Sequence, residues 1–301
     1  MNTLRQQRLA FVGLLAVAAI WGSSFPMTKV IFRQLPVLDF LAVRFLLAAV
    51  ATALIFHRQL RTLSRRGWVT GSILGVVYGA AQIVQSLGLK IISPAVSGFI
   101  TGLYVVVTPL LAWLLLRSRV SRRAWAGAFV SLIGLGLLSL QGFAMGFGEF
   151  LTLLSAVAFA LHIVLLGHWS SAGEAMALAV VQLFSCGLVC LVVAAPDGIE
   201  LPKNGTGWAM MLYLALVCGA VAMIVQTWAQ VHLPANRAAI VMSMEPVFAT
   251  FWSVLFLAET LTWRLLGGGG LMLTGMLIVE LRPRRRGDAP APEELPHPSA
   301  P

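Results

Sequence analysis

Between Leu9 and Leu281 the chain is a near-continuous succession of hydrophobic stretches, and these divide into two matching sets of five. They read as 9–29, 37–57, 68–88, 95–116 and 123–141, then 149–168, 175–195, 208–230, 237–257 and 263–281. Each holds about 20 residues, enough at about 1.5 Å per residue to cross a hydrocarbon core roughly 30 Å thick. The odd number of crossings per set constrains more than the hydrophobicity does. A second five-helix set must enter the bilayer from the side opposite to the first. The two copies are then inverted, an arrangement that lets many transporters open alternately to either face. The expected fold is an all-α integral membrane protein with ten transmembrane helices as two inverted five-helix repeats, about 9–141 and about 149–281. One transmembrane domain covers 1–286, and 287–301, rich in Pro, Ala and Glu, reads as a short disordered cytoplasmic tail.

Composition excludes the soluble classes. The chain is 59% hydrophobic and 11% charged, with a mean hydropathy of +0.89, and in water it would expose large aggregating patches. The net charge of +10 imitates a nucleic-acid binder, but its placement argues otherwise. Arg5 and Arg8, Arg58 to Arg66, Arg117 to Arg123, Arg237 and Arg282 to Arg286 fall on one side of the expected topology. Only Lys29, Arg33, Lys90, Lys203 and Arg264 fall on the other. That asymmetry places both termini in the cytoplasm, with the chain in a bacterial inner membrane. No soluble domain is left to build a nucleic-acid face. Cys186, Cys190 and Cys218 lie inside apolar spans without a His or carboxylate beside them, which suits packing better than a metal. No Gly-rich phosphate loop with its Lys is present, so no cofactor is expected and a gradient must supply the energy.

Internal similarity is clearest at the ends of the halves. Trp125, Gly127 and Gly134 answer Leu266, Gly268 and Gly275. Upstream, Thr108-Pro109-Leu110-Leu111-Ala112 answers Glu245-Pro246-Val247-Phe248-Ala249 after a length change of about four residues, and Ile92-Ser93-Pro94-Ala95 answers His232-Leu233-Pro234-Ala235. Gly71, Gly75 and Gly79 recur every four residues, as do Gly98 and Gly102, and such stripes let helix backbones approach closely in lipid.

Polar residues inside a membrane cost free energy unless paired or wetted. Here helical spacing gathers them into stripes: Trp21, Ser24 and Thr28; Tyr78, Gln82 and Gln85; Ser97, Thr101, Tyr104 and Thr108; Thr152, Ser155 and His162; Gln226 and Gln230. They read as the lining of a common pathway, with interhelical hydrogen bonding as the alternative. Three ionisable groups stand out. Arg44, about seven residues into its span, snorkels outward to Asp39 or the headgroups, or else binds an anionic group of a solute. Glu245 is either a proton-coupling carboxyl or a brace for the helix at Pro246. His162 reads first as a satisfied neutral histidine and second as a proton exchanger. Pro109 and Pro246 are helix breaks that free the carbonyls of Val105 and Met242.

With these landmarks placed, the chain resembles the drug/metabolite transporter superfamily, specifically its EamA-type ten-helix members, over about residues 9–282. The resemblance rests on Trp21-Gly22-Ser23-Ser24-Phe25, on Arg44-Phe45, on Gly98 to Tyr104 running on to Thr108-Pro109-Leu110-Leu111-Ala112, and on Glu245-Pro246-Val247-Phe248-Ala249 followed by Ala258-Glu259-Thr260-Leu261. Members often carry Gly-Glu after the fourth helix, where this chain has Arg117-Ser118; only the second half keeps the acid, as Glu259. The resemblance implies secondary transport of small organic solutes, frequently export of amino acids or related metabolites, from a central cavity between the halves. The pathway candidates are Trp21, Ser24, Arg44, Gln82, Gln85, Thr101, Tyr104, His162, Gln226 and Glu245. The partners are a small-molecule solute and the lipid bilayer, with proton coupling and a homodimer left open. An intramembrane enzyme and a non-transporting receptor are the rival readings. The enzyme needs clustered catalytic groups that Glu245 and His162, far apart in sequence, do not supply.

Overall fold

Among the described residues seven helices are each long and apolar enough to cross a membrane, and two shorter apolar helices, Glu245–Leu257 and Trp263–Ile278, follow them. The structure, a computed structural model, describes residues 3–117, 121–141, 144–169, 174–232 and 241–280. In chain order these form α1 (Thr3–Ile31), α2 (Val37–Ile55), a short α3 (His57–Arg61), α4 (Arg65–Ile91), α5 (Pro94–Gly102), α6 (Tyr104–Leu116) and α7 (Arg122–Ser139). A two-residue antiparallel ladder, Leu140–Gln141 with Ala144–Met145, follows α7. Then come α8 (Phe147–Trp169), α9 (Ala175–Ala194), α10 (Gly205–Leu212), a π-helical segment (Tyr213–Val221), α11 (Ala222–His232), α12 (Glu245–Leu257) and α13 (Trp263–Glu280).

Local chemistry sets the helix ends. Ser64 accepts from the Gly67 N–H at the start of α4, and Asn204 accepts from the Gly207 N–H at the start of α10. Ser93 caps α5, with Pro94 in the first turn where its missing N–H costs nothing. The expected fourth span is not one helix. It breaks at Leu103 into α5 and α6, so the break precedes Tyr104 and Pro109 sits inside α6. In the ninth span a turn at Ser243–Met244 precedes α12, which leaves Pro246 in its first turn. Pro246 therefore does not kink a continuous helix. The proposed match of Ile92–Ala95 to 232–235 falls largely outside the described residues.

The later elements correct the sequence pairing of the prolines. α6 and α12 are both 13 residues long, and α7 and α13 are both 18. Tyr104 and Glu245, which open α6 and α12, are 141 residues apart, as are Ser131 and Met272 in α7 and α13. Both α6 and α12 end on a left-handed residue, Arg117 (φ 52°) and Ala258 (φ 51°), whose N–H groups reach back to the carbonyls of Ala112 and Ser253. At this spacing Tyr104 corresponds to Glu245, and Pro109 corresponds to Thr250 rather than to Pro246.

Glycine stripes mark the closest helix contacts. A Cβ at Gly75 would lie 2.5 Å from the Gln182 carbonyl oxygen, so α4 meets α9 backbone to backbone. Gly134 of α7 abuts Gly268 and Met272 of α13, while Gly275 of α13 abuts Gly127 and Ser131 of α7. Elsewhere α1 packs on α11 and α12, α2 on α9 and the π segment, α4 on α8 and α9, α5 on α12, and α6 on α8. Two apolar cores result. One centres on Phe40, Phe45, Leu183 and Leu214, the other on Phe99, Ile100, Leu135 and Met272. Large apolar side chains such as Leu54, Leu114, Phe129 and Leu266 face outward, as lipid contact requires.

Candidate functional site

The π segment organises one side of the site. Its wider turn displaces backbone carbonyls from the regular ladder, a feature common at functional positions. Two of these carbonyls take side-chain donors from other helices. Trp21 Nε1 of α1 donates to Cys218 O at 2.9 Å, and Arg44 Nε of α2 donates to Leu214 O at 3.2 Å. Arg44 does not snorkel. It is buried at 7% exposure, with its guanidinium carbon 5.7 Å from the Phe40 ring centre and 5.1 Å from that of Phe45. Asp39, the expected outward partner, instead accepts the Glu200 N–H at 2.9 Å. The rings offer the guanidinium an electrostatic surface that a bare hydrocarbon would not.

From Arg44 the site continues through aromatic contacts. Tyr78 of α4 lies edge-on to Phe45 at 5.8 Å and to Phe159 at 5.8 Å, with the His162 ring at 5.2 Å. Phe45 belongs to one apolar core and Phe159 packs against the other, so Tyr78 stands where the two meet. Gln82 Nε2 donates to the Tyr78 hydroxyl at 2.9 Å, and Gln85 Nε2 donates to Thr101 Oγ1 at 3.0 Å. His162 Nε2 pairs with Gln182 Oε1 at 2.7 Å, both residues being buried. That pair favours the satisfied-histidine reading. Gln182 was not singled out from the sequence, although one amide in the apolar run of α9 was a visible signal.

The two helix starts meet at the other side. Tyr104, the first residue of α6, donates its hydroxyl to Glu245 Oε2 at 3.4 Å, and Glu245 is the first residue of α12. A carboxylate there faces the positive end of its own helix. Pro246 packs against Gly102, which brings α5 and α12 together beside this pair. Ser97, buried on the Thr101 and Tyr104 side of α5, has no hydrogen-bond partner for its hydroxyl.

Other candidates are less central. Ser24 returns its hydroxyl to the Trp21 carbonyl at 2.6 Å, a local bond within α1. Gln226 reaches only the weakly accepting sulfur of Met242 at 3.8 Å, and the side chain of Gln230 lies outside the described residues. A cavity of about 530 Å³ lies elsewhere, lined by Ile91, Ser93, Val96, Met145 and Glu149, and it contains none of the sequence candidates. Beside it Lys29 Nζ donates to the carbonyls of Leu89, Lys90 and Ile92, each at 2.8 Å, and caps the end of α4. Glu259 Oε2 accepts the Ala95 N–H at 3.4 Å and so holds the start of α5. Among the described residues no cluster of His, Cys, Asp and Glu fits a metal ion.

Comparison with known proteins gives a consistent picture. A family model described as "EamA-like transporter family" matches residues 8–140 and again 146–281. An uncharacterized transporter of Archaeoglobus fulgidus is 32% identical, covering 91% of this chain and 86% of its own. The uncharacterized transporter YetK of Bacillus subtilis is 23% identical, covering 97% and 92%. A Streptantibioticus cattleyicolor protein named "Probable terminal-alkyne amino-acid exporter" is 30% identical over only 30% of this chain and 31% of its own. A solved crystal structure with 17% identity and a TM-score of 0.62 covers 89% of this chain and 95% of that one, which establishes a shared fold.

Proposed function

From the premise that this chain belongs to the EamA-like transporter family, a multi-pass membrane family, we propose that it is a secondary-active exporter of amino acids or related small metabolites, working by alternating access. It sits in a bacterial inner membrane with both termini cytoplasmic, and it spans the bilayer ten times as two inverted five-helix repeats. The partial likeness to an amino-acid exporter supports the solute class.

The observation that carries the reading is the Tyr104–Glu245 contact between two corresponding helix starts. Packing supports the inversion. If α1 answers α8, α2 answers α9, α4 answers α10–α11, α5–α6 answer α12, and α7 answers α13, every major contact has its counterpart. The α1–α11 contact is mirrored by α8–α4, α1–α12 by α8–α6, and α2 with the π segment by α9–α4. Gly127 against Gly275 is likewise mirrored by Gly268 against Gly134. Such reciprocity is what a two-fold axis between the repeats produces, and five crossings per repeat would put that axis in the membrane plane. Lys29 and Glu259, which tie α1 and the end of α12 to the α4–α5 turn, close the outer end of the pathway. Glu245 is the coupling carboxyl. Among the described residues the other buried acid, Asp39, is already engaged by the Glu200 N–H.

Counterflow of labelled amino acids in proteoliposomes under an imposed pH gradient tests this reading. Wild type accumulates or expels solute with the gradient, and Glu245→Gln loses most of that response while its exchange flux survives. Absence of flux for every amino acid, or an unaltered gradient response in the variant, overturns it. Reporters fused at Gly142 and Arg286 are expected on opposite sides of the membrane, and a shared side removes the inverted topology.

A further inference from the structure

His162 is the one buried histidine among the described residues, and a hydrogen bond to Gln182 of α9 holds its ring. The chemistry of that amide assigns the proton. Gln182 Nε2 lies 3.3 Å from the carbonyl oxygen of Leu178, one turn back on α9. A carbonyl only accepts, so the amide nitrogen must face it and the amide oxygen must face His162. That oxygen also only accepts, so the ring nitrogen 2.7 Å away, Nε2, must carry the hydrogen. The reversed amide would set two acceptors against each other at Leu178, which is costly in a buried site. A neutral imidazole has one N–H, so the other nitrogen, Nδ1, holds a lone pair and accepts. Nδ1 is also the nitrogen left open. It has no hydrogen bond among the described residues, and it is not one of the two sealed side-chain atoms without a partner there, Gln34 Oε1 and Ser97 Oγ. His162 keeps 7% exposure and shares the α8 face of the buried Thr152 and Ser155, away from the exposed Phe150 and Leu154. Its ring centre is 5.2 Å from that of Tyr78, where the two apolar cores meet. The open edge of the ring therefore faces the bundle and not the lipid.

We infer that Gln182 is a positioning residue for transport: it holds His162 as the Nε2–H tautomer, so that Nδ1 presents one acceptor to a hydrogen-bond donor of the passing solute. The inference rests on the transport reading above and adds to it a residue, an atom and a polarity. A solute that brings an N–H or O–H to Nδ1 is favoured over one that brings only an acceptor, because two facing lone pairs leave both groups unsatisfied. Gln182 acts through the ring and does not touch the solute. Its oxygen is engaged by the ring and its nitrogen by Leu178. The other tautomer would turn Nδ1 from acceptor to donor, so an amide behind the ring decides what the ring reads in front.

The test uses the full-length protein in two settings. In lipid nanodiscs, with histidine labelled by nitrogen-15 in the ring, the His162 signals are identified by their loss in His162→Gln. Spectra of wild type near neutral pH are expected to show a protonated Nε2 and an unprotonated Nδ1, and Gln182→Leu is expected to mix the tautomers. A wild-type ring with its hydrogen on Nδ1, on both nitrogens, or divided between them overturns the assignment. Flux is then measured in proteoliposomes with whichever of the twenty common amino acids wild type moves fastest. Two replacements separate the edges of the ring. His162→Asn sets an amide oxygen near the place of Nδ1, whereas His162→Gln sets its amide near Nε2 and leaves no acceptor at Nδ1. His162→Gln is expected to raise the half-saturating concentration about threefold to tenfold, the worth of one hydrogen bond, while His162→Asn stays close to wild type. Gln182→Leu is expected to shift it in the same direction and to keep most of the maximal flux. The reverse order of the Asn and Gln variants, or wild-type kinetics in Gln182→Leu, overturns the role of Nδ1 and leaves Gln182 as packing alone. Where a variant does not fold, the wild-type spectrum and the remaining variants decide. Absence of wild-type flux for every amino acid overturns the transport reading and the solute contact with it, while the tautomer stands or falls on the spectrum.

Discussion

Helices α6 and α12 have matched backbones and different chemistry. Each is 13 residues long, starts after a break, and ends on a left-handed residue bonded back to the carbonyl five residues earlier. Yet α6 begins with Tyr104 and α12 with Glu245; α6 holds Pro109 in its interior while α12 holds Pro246 in its first turn; and the residue after the left-handed cap is Ser118 in one half and Glu259 in the other. The comparison separates two kinds of constraint. Helix length and capping are shared, because both helices have a similar packing problem to solve. Side chains at the break are not shared: a tyrosine hydroxyl opens one helix and a carboxyl opens the other, and the two meet in one hydrogen bond.

The largest effect is expected where the halves are most alike. Leu at Gly134 or at Gly275 drives a side chain into the facing backbone of α13 or α7, where a Cβ alone would lie 2.6 Å from Gly268 O or 2.5 Å from Gly127 O. Each change is expected to cost about 3 kcal/mol or more and to abolish the monodisperse yield in detergent. Similar losses from both sharpen the equivalence of α7 and α13. Tolerance of one alone breaks it.

The prolines are expected to act with opposite signs. Pro109→Ala restores a bond to the Val105 carbonyl inside α6, where a proline costs about 3 kcal/mol in an ordinary helix interior. Its thermal midpoint should rise and its flux should fall. Pro246→Ala frees an N–H that has no helical acceptor in the first turn, and it loses ring contact with Gly102, a loss of about 1 kcal/mol. Its midpoint should drop slightly. Matching shifts from both variants would mean that the two breaks are mechanically alike after all.

The smallest effect lies outside the membrane-spanning helices. The Ser64 hydroxyl, and then its backbone N–H at 3.0 Å, hold the Glu174 carboxyl below its ordinary range. That stabilisation is present above the ordinary carboxylate pKa and is lost as pH falls through the lowered folded value. The group is exposed, so solvent screens the contribution. Glu174→Gln is expected to lower the midpoint marginally at neutral pH and to flatten a shallow acid-side decline, read from melts across the acid range. An unchanged acid-side slope means that the α4 cap at Ser64 does not depend on the charge.

What the residue order determined by itself is whatever adds up locally. The apolar windows and the glycine stripes each follow from composition at helical spacing, and the described helices overlap the expected stretches, the fourth of them as two helices. The stripes Gly71-Gly75-Gly79 and Gly98-Gly102 do meet other helices, on α9 and α12. Trp21, Arg44, Tyr104, His162 and Glu245 stood out because a polar group in an apolar window is conspicuous wherever it points. Only the tertiary structure decided where those groups point. Arg44 turns inward because Glu200 occupies Asp39 and the π segment offers the Leu214 carbonyl, and neither condition is written near position 44. The breaks fall before Tyr104 and Glu245 rather than at the prolines, since a helix can open in lipid only where neighbouring helices fill and satisfy the gap. His162 finds Gln182 from another helix, and Tyr104 finds Glu245 across 141 positions of chain. Hydropathy is a sum over a window, whereas a partner is a coincidence of two windows in space.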